Sequence, residues 1–232
     1  MGPLRLDGAL ATTLQELGLP ERTPVDAWVR DHPDRVHAVH QRFAAAGARI
    51  LFAGTFRMLP GVQPEWRRLA PIAVELARIP GCATWGSLGP GAVSYAEISR
   101  DLAGLVDGIA LETFGDPAEL DRAVTETLPA GVPVGALLVV RDDGRLWSGA
   151  DPRPWLERWH ALGVTVGFNC APAAAIRRAV DAWGGPAWVR PSDASARELR
   201  AFVGVASGIG GCCGVGPDVV AEAWRDGSDR TE

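Results

Sequence analysis

The chain has 232 residues and four cysteines, and three of the four stand where metal chemistry is possible. Cys170 follows an apolar run in Gly167-Phe168-Asn169-Cys170. Cys212 and Cys213 close a second run in Gly210-Gly211-Cys212-Cys213-Gly214. Three sulfurs suit a borderline-soft ion such as Zn2+, and three protein ligands leave one tetrahedral position open for a reactant. Adjacent strand residues point to opposite faces, so Cys212 and Cys213 reach one ion only if the backbone leaves strand geometry, which the flanking glycines permit. Free cysteines are equally at home as small buried hydrophobes, and the spacing is not that of a zinc finger. Residue types alone therefore leave a metal site and core packing both open. Cys82 begins a strand without a partner and reads as core filler.

To bring those thiols together, the chain must carry their segments to one place. Short apolar runs fall at Leu4–Leu6, Arg49–Ala53, Cys82–Ser87, Gly108–Thr113, Val134–Val140, Val164–Asn169, Ala187–Arg190 and Gly208–Gly211. They are apolar throughout, as strands covered on both faces are. Helical patterns lie between them at Asp34–Ala46, Pro64–Arg78, Tyr95–Leu105, Pro117–Leu128, Pro152–Leu162, Pro172–Trp183, Ala196–Val205 and Pro217–Trp224. Several open on proline, and Ser195 with Glu198 forms a capping box. About eight β-then-α units without a linker predict an α/β fold, a compact (β/α)8 TIM barrel with shortened βα loops, as a single domain over residues 1–232. In a barrel the strand C-termini meet on one rim. The sixth and eighth strands carry the thiols there, although far apart in sequence. The polar tail 226–232 is expected to fray.

Bulk composition narrows the function. Hydrophobic residues make up 47% and charged residues 22%, enough for a large core. The net charge of −5 argues against nucleic acid and anionic membranes as partners. All 23 basic residues are arginine, so lysine Schiff-base chemistry is excluded. No apolar run spans a bilayer and no secretory layout opens the chain, so a cytoplasmic protein with reduced thiols is expected. No P-loop, dinucleotide fingerprint or Ser–His–Asp signature occurs. His37 and His40 share a helix face without a metal-ligating neighbour and read as packing or surface residues. Trp155, Trp159 and Trp183 fit sheet-facing helix sides, while Trp66 and Trp85 fit either rim or core.

Five segments occur here in the order seen in one enzyme family. They are Leu6-Asp7-Gly8-Ala9, Gly86-Ser87-Leu88-Gly89-Pro90, Leu111-Glu112-Thr113, Asn169-Cys170 and Gly210-Gly211-Cys212-Cys213-Gly214. From Leu4 to Trp224 the chain resembles the zinc-dependent homocysteine S-methyltransferases. The resemblance implies that Cys170, Cys212 and Cys213 ligate Zn2+ and that the metal activates a thiol acceptor for methylation. It implies that Asp7 and Glu112 bind the ammonium of homocysteine, that the Gly8–Ala9 backbone meets its carboxylate, and that Asn169 belongs to the site. On residue type alone, Asp7 reads equally well as a helix cap, and Glu112 as a solvated or general acid–base group.

The chain departs from the family pattern in three places. Gly54-Thr55-Phe56 stands where the family often has Asn-Thr-Phe. The rim is trimmed between Gly91 and Asp107, and again after the seventh strand at Arg190-Pro191-Ser192-Asp193. Such loops set specificity in barrels. An open site favours a donor with a good leaving group, so a sulfonium donor is expected, S-methylmethionine or S-adenosylmethionine, giving methionine. The alternatives are a subunit exchanging methyl groups with a separate corrinoid protein partner, and a non-catalytic zinc or thiol-binding protein.

Overall fold

The computed structural model describes residues 2–225. The polar tail expected to fray lies outside them. Eight parallel strands form one sheet: β1 (Leu4–Arg5), β2 (Ile50–Phe52), β3 (Ala83–Leu88), β4 (Gly108–Phe114), β5 (Val134–Leu138), β6 (Thr165–Pro172), β7 (Trp188–Ser192) and β8 (Gly208–Ile209). Their order is β1-β8-β7-β6-β5-β4-β3-β2. A bridge between Leu6 and Ile50, with the Asp7 amide donating to the Ile50 carbonyl at 3.0 Å, brings β2 back to β1. The sheet thus curls into the (β/α)8 barrel that the alternating pattern predicts.

The helices are α1 (Leu10–Glu16), α2 (Val25–Asp31), α3 (Pro33–Ala45), α4 (Trp66–Leu76), α5 (Tyr95–Ala103), α6 (Pro117–Thr127), α7 (Arg153–Ala161), α8 (Ala173–Trp183), α9 (Ala196–Arg200) and α10 (Pro217–Trp224). The Ser195–Glu198 capping box is present at α9. That helix stops at Arg200, short of the expected Val205, and the chain continues in turns. Two helices, α1 and α2, were not expected. Each has seven residues, too few for a clear apolar period. Both precede α3, so they form an excursion from the end of β1 over the mouth of the barrel.

The barrel interior is filled by aromatic side chains. Trp85 and Trp188 lie with ring centres 4.8 Å apart, and Phe52 meets both edge-on at 6.4 and 6.3 Å. Trp85 is thus barrel core rather than rim, and Trp66 is buried in α4. These rings plug the lower barrel, so polar chemistry is confined to the C-terminal end. Trp159 is fully buried and packs beside Trp155, as expected of sheet-facing helix residues. Cys82 is partly buried and donates weakly to the Ala48 carbonyl at 3.4 Å, consistent with core filler. No helix among the described residues is long and apolar enough to cross a membrane.

Of the paired histidines, His37 bonds the Leu76 carbonyl at 2.9 Å, a packing role. His40 is fully buried, and neither ring nitrogen has a partner among the described residues. Burial, with a smaller contribution from His37, lowers its pKa to about 3. An unfolded histidine titrates at ~6.5, so between these values the unfolded chain binds the extra proton. Stability is therefore complete above the unfolded pKa and is lost as pH falls. We expect His40→Leu to lose about 2 kcal/mol less stability than the parent between pH 7 and 5, read by denaturant unfolding. Parallel losses in the two proteins would remove His40 as the cause.

Candidate active site

The thiols converge because two strands end irregularly. The pairing of β6 with β7 shifts between Asn169 and Pro172, and the pairing of β4 with β5 shifts between Leu111 and Phe114. At these irregularities Cys170 and Thr113 take left-handed backbone, with φ of 55° and 68°. Such a conformation costs a non-glycine residue on the order of 1–3 kcal/mol, so surrounding contacts must impose it. Asn169 supplies two of them. Its carbonyl oxygen accepts from the Thr113 amide at 2.9 Å, and its amide nitrogen donates to Thr113 Oγ1 at 2.9 Å. The expected strand Val164–Asn169 thus continues to Pro172, and the turned residue within it is the metal-ligand candidate.

Cys212 and Cys213 lie beyond β8, which ends at Ile209 rather than at the expected Gly211. The Cys212 amide donates to the Pro191 carbonyl at 2.8 Å, and the Cys213 carbonyl accepts from the Asp193 amide at 2.7 Å. A Cβ on Gly211 would collide with Val215, so this tight approach excludes a side chain. The segment is therefore free of strand alternation. The sulfurs of Cys170, Cys212 and Cys213 all lie within 4.8 Å of one another, with Cys170 and Cys213 at 3.9 Å. All three are free thiols, and Cys213 is exposed. The hydrogen bond with Cys170 lowers the Cys213 thiol to about 3. Hydrogen bonds to Cys212 and Cys213 raise that of Cys170.

Beneath the thiols sits a charged cluster whose centre, Arg190, the sequence reading did not identify. Its guanidinium donates to Asp7 Oδ1 at 3.0 Å, to Glu112 Oε2, to the Gly8 carbonyl at 3.3 Å and to the Gly211 carbonyl at 3.1 Å. It also lies 4.1 Å from the ring centre of Phe52, a cation–π contact. Asp7 Oδ2 accepts from the Phe52 amide at 2.8 Å. Glu112 Oε1 accepts from the Ser87 hydroxyl, and its Oε2 also accepts from Asn169 at 3.3 Å. Every carboxylate oxygen of the pair thus has a donor within the protein. The two acids that the family resemblance assigns to an ammonium meet a guanidinium in this chain. Two carboxylates against one guanidinium leave one surplus negative charge. Burial, partly offset by Arg190, raises the Asp7 carboxyl to about 7. The Ala9 amide is also taken, by the Val215 carbonyl at 2.9 Å. The Gly8 amide has no acceptor among the described residues.

A cleft of about 340 Å3 opens above this cluster. The three cysteines, Glu112 and Arg190 reach its floor, while Asp7 and Asn169 lie behind. Gly8 and Ala9 line one side. Arg190 had a signal in sequence, since a lone charge closing the apolar run Ala187-Trp188-Val189 requires a buried partner.

A barrel with thiols and a charged cluster grouped at the carboxyl ends of its strands has the layout of a barrel enzyme. The family follows from sequence: the homocysteine S-methyltransferase model matches residues 4–225, and the chain belongs to that family. It is accordingly a methyltransferase acting on homocysteine. No curated protein matches the chain. Among solved structures it is similar to the homocysteine methyltransferase MmuM from Escherichia coli. The metallated form has 22% identity over 96% of each chain and a TM-score of 0.79. The oxidized form has 23% identity over 95% and 94%, with a TM-score of 0.78. Type I 3-dehydroquinate dehydratase from Clostridium difficile shares the fold at 12% identity, over 94% and 91% of the chains, with a TM-score of 0.55.

Removing the guanidinium would leave two buried carboxylates facing each other. We expect Arg190→Met to destabilise the protein by about 3–5 kcal/mol, the cost of breaking a buried pair from one side. Thermal unfolding at pH 8 measures it. An unchanged Tm would mean that the two acids do not share their charge with Arg190.

Proposed function

We propose that this enzyme transfers a methyl group from a sulfonium donor, S-methylmethionine or S-adenosylmethionine, to the thiol of homocysteine, forming methionine, with zinc held by Cys170, Cys212 and Cys213. The convergence of the three sulfurs at the floor of an open cleft carries this reading. Tetrahedral zinc with Zn–S bonds near ~2.3 Å sets sulfurs ~3.8 Å apart. The Cys170–Cys213 separation of 3.9 Å fits that spacing. When bound, zinc would favour loss of the acceptor's thiol proton and hold its sulfur as a nucleophile.

The remaining groups bind and orient. Above about pH 7, where Asp7 is ionised, the Asp7–Arg190–Glu112 cluster carries one surplus negative charge, which matches the single charge of an ammonium, and Glu112 is the acid that reaches the cleft. The free Gly8 amide, beside Ala9, suits the acceptor carboxylate. Asn169 holds Cys170 in its turned conformation and is a positioning residue. The rim is short: six residues separate β3 from α5, and three separate β7 from α9. Such a site screens water incompletely, which suits a donor whose methyl is already electrophilic. The cytoplasmic setting expected from the sequence would keep the thiols reduced.

Purified protein should contain about one zinc per chain, as a single three-thiolate site requires. Alanine at Cys170, Cys212 or Cys213 should remove most of it, and Cys82→Ala none. Elemental analysis decides, and full zinc in Cys212→Ala would discard that ligand.

In a donor screen with homocysteine, mass spectrometry should detect methionine with sulfonium donors. Turnover with betaine or methylfolate and with no sulfonium would overturn the donor class and leave the metal site intact.

A further inference from the structure

The acids on the floor of the cleft are already matched within the protein. Only Glu112 of the pair lines the cleft, and Arg190 lines it beside Glu112. Asp7 lies behind them, 1% exposed. Asp7 Oδ1 accepts from Arg190 at 3.0 Å, and Oδ2 from the Phe52 amide at 2.8 Å. Glu112 Oε2 accepts from Arg190 and, at 3.3 Å, from Asn169, while Oε1 accepts from the Ser87 hydroxyl. An ammonium entering the cleft therefore meets one acid, and that acid is paired with a guanidinium whose positive charge opposes the newcomer. The ammonium completes no unpaired group. The carboxylate of an amino acid is treated differently. Gly8 lines the cleft, and its amide has no acceptor among the described residues.

We propose that the enzyme also methylates thiols that carry a carboxylate but no α-ammonium, and that Arg190 is the residue that sets this tolerance. The proposal rests on the acceptor reading above, with the sulfur at the three cysteines and the carboxylate at the Gly8 amide. A site rejects an analogue lacking a polar group mainly because its own buried partners are then left unpaired, and such rejection reaches ~10,000-fold. Here loss of the ammonium strands nothing, since Arg190, Ser87, Asn169 and the Phe52 amide hold both acids. Arg190 is itself held from two further sides. Its Nε donates to the Gly211 carbonyl at 3.1 Å, and its guanidinium lies 4.1 Å from the ring centre of Phe52. The transfer step is the same for either acceptor. The thiol gives its proton to solvent, its sulfur forms the new bond to the methyl carbon, and the sulfur–methyl bond of the donor breaks with its electron pair left on the donor sulfur. From 4-mercaptobutanoate, which is homocysteine without its ammonium, the product is 4-(methylsulfanyl)butanoate.

The test compares three acceptors with the metal-loaded enzyme: homocysteine, 4-mercaptobutanoate, and 3-mercaptopropylamine, which keeps the ammonium and lacks the carboxylate. The donor is whichever one methylates homocysteine, so its identity does not enter. Mass spectrometry reads the methylated products. The kcat/KM for 4-mercaptobutanoate should fall short of that for homocysteine by less than ~100-fold, far inside the rejection expected of a site built around the ammonium. It should also exceed that for 3-mercaptopropylamine, and calorimetric binding without donor should follow the same order. A deficit of ~100-fold or more, or the reverse order of the two analogues, would overturn the proposal. Arg190→Met leaves the two acids uncompensated. In that variant the preference for homocysteine over 4-mercaptobutanoate should rise at least ~10-fold, the scale of one charge-assisted bond. Should it fail to fold, Arg190→Lys, which keeps the charge with fewer donors, should show a smaller rise. An unchanged preference in a folded variant would overturn the role of Arg190. Failure of the acceptor reading itself would appear separately, as absence of methylated homocysteine with every donor.

Discussion

The contact on which the upper barrel depends is the buried guanidinium of Arg190. From β7 it reaches Asp7 and Gly8 after β1, the Phe52 ring of β2, Glu112 of β4 and the Gly211 carbonyl after β8. One planar group with five donors in a fixed fork thus ties together segments from all around the mouth. A hydrophobic side chain there would fill the volume but leave two carboxylates without charge compensation. The cluster tolerates burial because nearly every polar atom in it is matched, and the same matching restricts how the strand ends can move.

Above that bracket, the thiol site depends on geometry that costs energy. Cys170 and Thr113 sit in left-handed backbone, and Asn169 joins them across β4 and β6. Aromatic rings below fill the barrel interior. The rigid floor and the lightly built rim therefore divide the work. The floor holds the three cysteine sulfurs together, and the excursion after β1 and the segment after β2 form the walls of the cleft above them.

Much of this was legible in the residues. All eight strands lie where the apolar runs put them, because parallel strands covered on both faces leave a continuous hydrophobic trace. The Ser195–Glu198 box marked its helix for the same local reason. What stayed hidden is non-local or aperiodic. Helices α1 and α2 are too short to show a period. Strand ends moved at Pro172 and Ile209 because irregular pairing, not composition, sets them. The convergence of Cys170 with Cys212 and Cys213 followed from barrel topology and family resemblance together. Asp7 and Glu112 were visible as acids on one rim. That a guanidinium stands between them is a property of the folded cluster, although Arg190 at the end of an apolar strand hinted at it.

Gly54 carries a consequence for how such a pocket diversifies. The helix that forms one wall of the cleft rests on a strand end where the side chain is a single hydrogen atom. A side chain at that position would press on Val25 and Leu10 by a few tenths of an ångström, a change in the wall of the cleft and not in its floor. Pocket shape and catalytic machinery are thereby inherited separately. One codon can retune what the enzyme admits, while the sulfurs and the charged cluster below keep their arrangement.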